Sequence, residues 1–251
     1  MLTKQRKAHI LRVLKNEGQI VAKTLSRTLG LSEDTIRRDL RELAAEGLLQ
    51  RVHGGALPLS PAVAVFADRQ HLATAGKAAI GRAAARLVRP GQIAFLDGGT
   101  TAVQLARHLP RDLEATIVTH SPSVAIELIN HPTITVEIIG GRLFKHSIVT
   151  VGAVAIEAIG RFRPDTYFMG VTGIHPELGL TTGDPEEAAV KRMLCRLAAE
   201  TVVLASSEKL GAASPYVVAP LSEIDAIVVE GAMPAELKKR LSKLKIAVVK
   251  A

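Results

Sequence analysis

The chain has 251 residues, 47 % of them apolar, enough for one large domain or for a small domain joined to a larger one. A lone cysteine, Cys195, rules out an intrachain disulfide, the polar start is unlike a secretion signal, and no run approaches the roughly 18 apolar residues of a membrane span. The net charge of +8 is uneven: residues 1–57 hold eleven Lys or Arg against six Asp or Glu, as in a nucleic-acid module joined to a near-neutral domain. With no Trp, five Phe and two Tyr, stacking platforms for single-stranded bases are not expected. A cytoplasmic protein is expected.

In chain order, Lys4 to Glu17 reads as a first helix, with Ile10, Leu11 and Leu14 on one apolar face joined by Ala8. Gly18 ends it. Val21 to Leu29 reads as a short second helix, stopped by Gly30. The third is expected from Glu33 to Ala45, with Ser32 as its N-cap and Glu33 and Asp34 suiting the positive end of its dipole. Ile36, Leu40 and Leu43 recur at core spacing, which turns Thr35, Arg38 and Arg41 outward and sets Arg37 on a flank. A basic capped helix can be a plain solvated face. Here it follows two short, closely spaced helices, as in a helix-turn-helix, and precedes Leu48 to Val52 and a glycine pair, which suits a β-wing.

This stretch resembles the DNA-binding domain of the DeoR family of bacterial transcriptional regulators. The match runs through Leu31-Ser32, Thr35-Ile36-Arg37-Arg38-Asp39-Leu40, Leu43, Gly47, Leu49, Arg51 and His53-Gly54-Gly55-Ala56. It implies a winged helix-turn-helix over residues 1–57 whose third helix reads double-stranded operator DNA. Thr35, Arg37 and Arg38 are then candidates for base or phosphate contact, Lys23, Arg41 and Arg51 for phosphates, and Ser32 and His53 complete the candidate face. Asp39 is expected to hold a neighbouring Arg rather than read a base.

Pro58 to Pro61 reads as the start of a linker, taken as residues 58–73, and 74–251 as one domain. A helix from Thr74 to Val88 leads into alternating strands and helices. Strands are predicted at 93–97, 115–119, 133–139, 167–171, 201–205, 224–229 and 246–249. Helices are predicted at 100–106, 123–129, 185–198 and 235–244. Such alternation predicts an α/β domain with a mainly parallel sheet. Ligands of open α/β sheets bind beyond the carboxyl ends of strands. There the chain places Asp97-Gly98-Gly99-Thr100-Thr101, whose glycines, hydroxyls and following helix start suit a phosphate but lack the Lys of a nucleotide P-loop. The same loop also reads as a simple strand-to-helix turn. Other polar strand ends are Thr119-His120-Ser121, Gly140-Gly141-Arg142, Gly170 to Gly173 and Ser206 to Lys209.

These segments are similar to the DeoR-family sensor domain at the Asp-x-Gly-Thr-Thr loop, the Val-Thr-x-Ser turn, Gly-Gly-Arg-Leu, Gly173-Ile174, Gly179-Leu180-Thr181, Glu187-Ala188 with Lys191, and the Ser-Ser-x-Lys end. The resemblance covers essentially the whole chain. It implies a domain similar to ribose-5-phosphate isomerases and CoA transferases that senses a phosphorylated sugar, sugar alcohol or sugar acid, in a homodimer or homotetramer. The implied effector residues are Asp97, Gly99, Thr100, Thr101, Thr119, His120, Ser121, Arg142, Gly173, Glu187, Lys191, Ser207 and Lys209. Four departures bear on the effector: His120 stands where Asn is usual, Gly98 where Ser is usual, Ala205 where Asp is frequent, and Glu208 is an extra acid before Lys209.

Two other functions are compatible with single features of the sequence. An isomerase-like enzyme with a DNA-binding appendage could use Glu187 as a base with Lys191 or Lys209, but Val171-Thr172 stand where such isomerases carry acids. A metal could be held by His120, His146 and His175 with Glu177 and Asp184, although their spacings match no compact signature. The leading expectation is a carbohydrate-operon repressor with no catalytic residues, no metal and no cofactor.

Overall fold

The structure, a computed structural model, describes residues 2–251. α1 (Thr3–Glu17) stops where Gly18 turns left-handed at φ 72° and its amide bonds to the Leu14 carbonyl. β1 (Ile20–Val21), α2 (Ala22–Leu29), α3 (Glu33–Ala45), β2 (Gln50–Val52) and β3 (Gly55–Leu57) complete the N-terminal unit. β3 lies between β1 and β2, antiparallel to both. Val21 therefore belongs to a strand rather than to the second helix, because its backbone pairs with Gly55. Ile10, Leu14, Leu25, Ile36, Leu40 and Leu43 share one core with Leu49 from the wing, while Ala8 is exposed.

Residues 58–73, expected as a linker, are largely structured. Leu59 forms a parallel bridge with Ala213, Pro61–Val63 make a 3-10 turn, and α4 (Phe66–Gln70) follows. Ser60, Ala62 and Phe66 are buried. The prolines break regular structure, but the apolar residues between and after them find cover on the next domain.

That domain continues through α5 (Thr74–Ala85), β4 (Ile93–Leu96), α6 (Thr100–Arg107), β5 (Thr116–Thr119), α7 (Pro122–Leu128) and β6 (Thr135–Ile138). A hairpin of β7 (Arg142–Phe144) and β8 (Val149–Val151) leads to α8 (Ala153–Ile159) and β9 (Thr166–Gly170). β10 (Gly173–His175), β11 (Gly179–Thr182), α9 (Pro185–Leu197) and β12 (Glu200–Ala205) come next. β13 (Tyr216–Ala219), β14 (Ala226–Val229), α10 (Ala235–Lys243) and β15 (Ala247–Lys250) close the chain.

Seven strands form one sheet in the order β15-β14-β12-β9-β4-β5-β6, parallel throughout. The chain builds outward from β4 to β6 in one direction, then from β9 to β15 in the other. The loops after β4 and β9 therefore diverge and leave a crevice at the carboxyl edge, where doubly wound sheets bind ligands. Both sheet faces are covered, as parallel sheets require. One core packs Ala155, Leu194 and Leu237 of α8, α9 and α10; the other packs Ile80, Leu105 and Val124 of α5, α6 and α7. β10, β11 and β13 form a second, antiparallel sheet, which the sequence reading did not resolve. No helix among the described residues is long and apolar enough to cross a membrane.

Candidate functional site

At the crevice, the β4–α6 turn is shaped by two glycines. Gly99 is the N-cap of α6, with φ 106° and no side-chain cap, so the first amides of the helix have no partner within it. A Cβ on Gly98 would stand 2.0 Å from Val149 Cγ1, so the usual serine cannot fit beside this valine without movement. The two glycines, with Thr100, Thr101, Gly170, Val171 and Thr172, line a cavity of about 30 Å³. This exceeds the roughly 10–15 Å³ that a single water requires and suits a compact polar group. Five of its lining residues (Ala62, Arg69, Ser147, Thr172 and Glu187) also line a neighbouring cavity of about 280 Å³, walled by Leu59, Val63, Phe144, His146, Asp184 and Pro215.

Four cations line the inner cavity: Arg69, Lys77, Lys191 and Lys209. Burial pushes the Lys209 ammonium down to about 8, with Lys77, Arg69 and Lys191 adding to the push against Glu208. Burial also lowers Arg69 and Lys77. Lys77 Nζ donates to the Arg69 carbonyl at 2.6 Å. Among the described residues, Arg69 Nε, Thr101 Oγ1 and Thr182 Oγ1 are buried without a hydrogen-bond partner, and all three residues line this cavity. Such orphaned groups cost stability until something pairs with them.

Behind the cavity lies Asp97, fully buried at the end of β4. Its Oδ2 accepts from the Tyr167 hydroxyl at 3.0 Å, the Gly170 amide at 2.9 Å and Lys191 Nζ. Its Oδ1 accepts from the Gly98 amide and His120 Nε2, both at 2.8 Å. Burial opposes ionisation, yet the charges of Lys191 and His120 hold this carboxyl well below the usual carboxylate range. His120 Nδ1 faces the Thr150 carbonyl at 2.9 Å. Both ring nitrogens of His120 thus lie within hydrogen-bond distance of oxygens, which fixes the ring in place. Burial and the Asp97 charge push the Tyr167 phenol well up, keeping it a donor.

The N-terminal unit presents a different surface. Ser32 Oγ caps α3, accepting from the Thr35 amide at 3.2 Å. Buried Asp39 accepts from Arg6 Nε and, at 3.0 Å, from its Nη2, which pins α3 to α1. Arg37, Arg38 and Arg41 are exposed on α3; Arg37 pairs with Glu33 at 2.7 Å. Lys23, Ser32, Arg51 and His53 are exposed too, and Thr35 is half-buried with its hydroxyl 2.9 Å from Ser32 Oγ.

Two family models match this chain. Residues 6–61 fit a DeoR-like helix-turn-helix domain and residues 72–231 the DeoR C terminal sensor domain. The chain belongs to the DeoR family. Among DeoR-family relatives, the HTH-type transcriptional regulator GlpR of Haloferax volcanii is 35 % identical over 99 % of this chain and 98 % of its own length. A putative aga operon transcriptional repressor of Escherichia coli O157:H7 is 30 % identical over 98 % of this chain and 93 % of its own. Among solved structures, ribose 5-phosphate isomerase A from Methanocaldococcus jannaschii aligns over 53 % of each chain, with a TM-score of 0.40 and 18 % identity.

Of the effector residues implied by the DeoR resemblance, the structure brings Gly99, Thr100, Thr101, Glu187, Lys191 and Lys209 to the inner cavity. Asp97 stands behind it. Six others lie outside the inner cavity. Thr119, His120 and Ser121 are fully buried beneath the floor, where the Thr119 hydroxyl bonds the Leu96 carbonyl and Ser121 Oγ the Ile148 carbonyl. Arg142 is exposed on the β7–β8 hairpin and pairs with Glu186. Gly173 is buried in β10 against Ala212. Ser207 is exposed, its amide donating to Glu230 at 2.9 Å.

Arg69, Lys77, Ser147, Thr182 and Ala62 line the cavity and were missed. Lys77 carried a usable signal: it sits three residues before Ile80 on the inward stripe of α5, and a lysine there is unusual unless its charge is used. The histidines weighed for a metal do not converge: His146 stacks on Phe144 at 5.5 Å, and His175 Nδ1 accepts from the Glu177 and Leu178 amides. Among the described residues no group of three His, Cys, Asp or Glu is placed to hold an ion. Burial pushes Cys195 up to about 12, a core thiol rather than a nucleophile.

Proposed function

We propose that this DeoR-family chain is a repressor of a carbohydrate operon whose grip on operator DNA is set by a phosphorylated sugar, sugar alcohol or sugar acid. The observation that carries the effector half is the inner cavity: four cations, a helix start without a cap, and three orphaned polar atoms face one small space. A phosphate supplies acceptors to all of them. The carbohydrate then lies in the larger cavity, where Glu187, common to both, accepts from a hydroxyl and Phe144 offers an apolar face. Gly98 and Val149 at the floor and Glu208 beside Lys209 tune which ligand fits.

In the operator half, Arg37, Arg38 and Arg41 project from a helix pinned by Arg6–Asp39, with Thr35 at its start for bases and Lys23, Arg51 and His53 for the flanking backbone. Two such units in a homo-oligomer, spaced by about 34–36 Å or a multiple, match paired half-sites in the cytoplasm. The names of GlpR and the aga repressor support a regulator over an enzyme. So does the cavity: Asp97 is saturated by five donors, and Glu187 alone is not an acid–base pair.

A mobility-shift titration of DNA upstream of the neighbouring genes, with and without sugar phosphates, tests the proposal. Expected is a change in DNA affinity of at least about fivefold with one of them. If no sugar phosphate alters DNA affinity at any salt concentration, the effector half fails.

A further inference from the structure

We infer that the segment from Pro58 to Ala73 is a strap that carries occupancy of the cavity to the winged helix. This rests on the effector reading above and concerns how that same site is read out. The strap touches the cavity along its length. Val63 walls the outer cavity, the Phe66 amide donates to the His146 carbonyl at 2.9 Å, and Arg69 reaches the inner cavity. There Arg69 Nη2 donates to Ser147 Oγ at 3.3 Å while Nε has no acceptor among the described residues.

The other end of the strap has little slack. β3 ends at Leu57 and Leu59 is already bridged to Ala213, so Pro58, with its ring-fixed φ, is the one residue between them. β3 pairs with both β1 and β2, so a shift of Leu59 is passed to the whole wing. At the far end Ala73 holds φ 49°, a left-handed conformation costing an alanine on the order of 1 kcal/mol. Ile148, next to Ser147, holds φ 53°. Strain of this kind persists only where the surroundings hold it, so the seam between the strap and the β7–β8 hairpin is bordered by two positions ready to relax.

An anion in the inner cavity gives Arg69 Nε its missing acceptor. Arg69 is drawn inward, α4 follows, and Leu59 to Val63 close over the outer cavity. The empty site lacks this contact. A ligand shifts a two-state equilibrium only through such a difference, and Arg69 supplies it.

The test uses the full chain, with inorganic phosphate, ribose 5-phosphate and glucose 6-phosphate as probes and thermal shift as the measure of occupancy. Amide hydrogen exchange is then read with the probe that stabilises most. Expected is at least about tenfold slower exchange over residues 62–70 and altered exchange in β2 and β3. A Gly-Ser-Gly insertion after Pro58 keeps the thermal shift and the strap protection but removes the response of β2 and β3. Ala73→Gly, which alters no cavity residue, relieves the left-handed strain and slows exchange of the strap in the absence of probe several-fold. Arg69→Gln weakens probe binding about 10- to 100-fold. A probe that stabilises the chain without slowing residues 62–70, or an insertion that leaves the wing response intact, overturns the strap and leaves the cavity reading standing. Failure of all three probes to stabilise the wild-type chain overturns both.

Discussion

Asp97→Asn tests the reasoning at its most demanding point. The substitution keeps the shape and removes one charge. Five donors converge on the carboxylate: the Gly98 and Gly170 amides, the Tyr167 hydroxyl, Lys191 Nζ and His120 Nε2. Asparagine offers one acceptor oxygen and turns its own NH₂ toward donors. The Lys191 side chain, 4 % exposed, is left as a buried charge without its counterion. Removing one partner of a buried pair costs about 3–5 kcal/mol, a large share of the roughly 5–15 kcal/mol of a folded domain.

At about 2–4 °C per kcal/mol for a domain of this size, Tm falls by about 6–20 °C. Circular dichroism at pH 7 in phosphate-free buffer measures it. The sign with pH is also fixed. The folded-state carboxyl of Asp97 is held below its unfolded value of about 3.9, so its contribution is complete above that pH and drains away as pH falls toward the folded value. The gap between wild type and variant therefore narrows below about pH 4. A Tm loss under about 2 °C at pH 7 would refute the ionised keystone.

Three further outcomes follow from the geometry. With Lys209 lowered to about 8, anion binding weakens as pH rises above 8, by up to about tenfold per unit, and Lys209→Met flattens that slope in a calorimetric titration with the best probe. Ser32→Ala removes the cap of α3 and costs about 1 kcal/mol of N-terminal stability in urea, a loss that Ser32→Asp largely restores. Arg38→Ala leaves Tm unchanged, because the side chain is exposed, but weakens operator binding at least about tenfold; unchanged DNA affinity would remove Arg38 from the interface.

Long apolar runs and caps were readable from sequence. α3 begins and ends as predicted, and the core strands from Ile93 to Val249 lie within a residue or two of their expected places. β7, β8, β10 and β11 are three or four residues long and carry no sustained alternation, so periodicity could not find them. α4 was hidden because prolines before it read as a break. In the candidate site, the glycine–threonine loop was visible because such turns have their own chemistry. Arg69 was not, since its role comes from tertiary placement of a segment that looked like a spacer. Polar residues at strand ends often face a ligand, but the Thr150 carbonyl and Asp97 hold His120 inward instead.

The five bonds to Asp97 have a consequence for where an occupant can do work. They clamp the ends of β4, β5 and β9 and the middle of α9 to one atom pair, so the floor of the crevice behaves as bedrock. Whatever binds above it cannot push downward. Under the strap proposal, the response to an occupant falls to the other wall, where Arg69 of the strap lines the cavity.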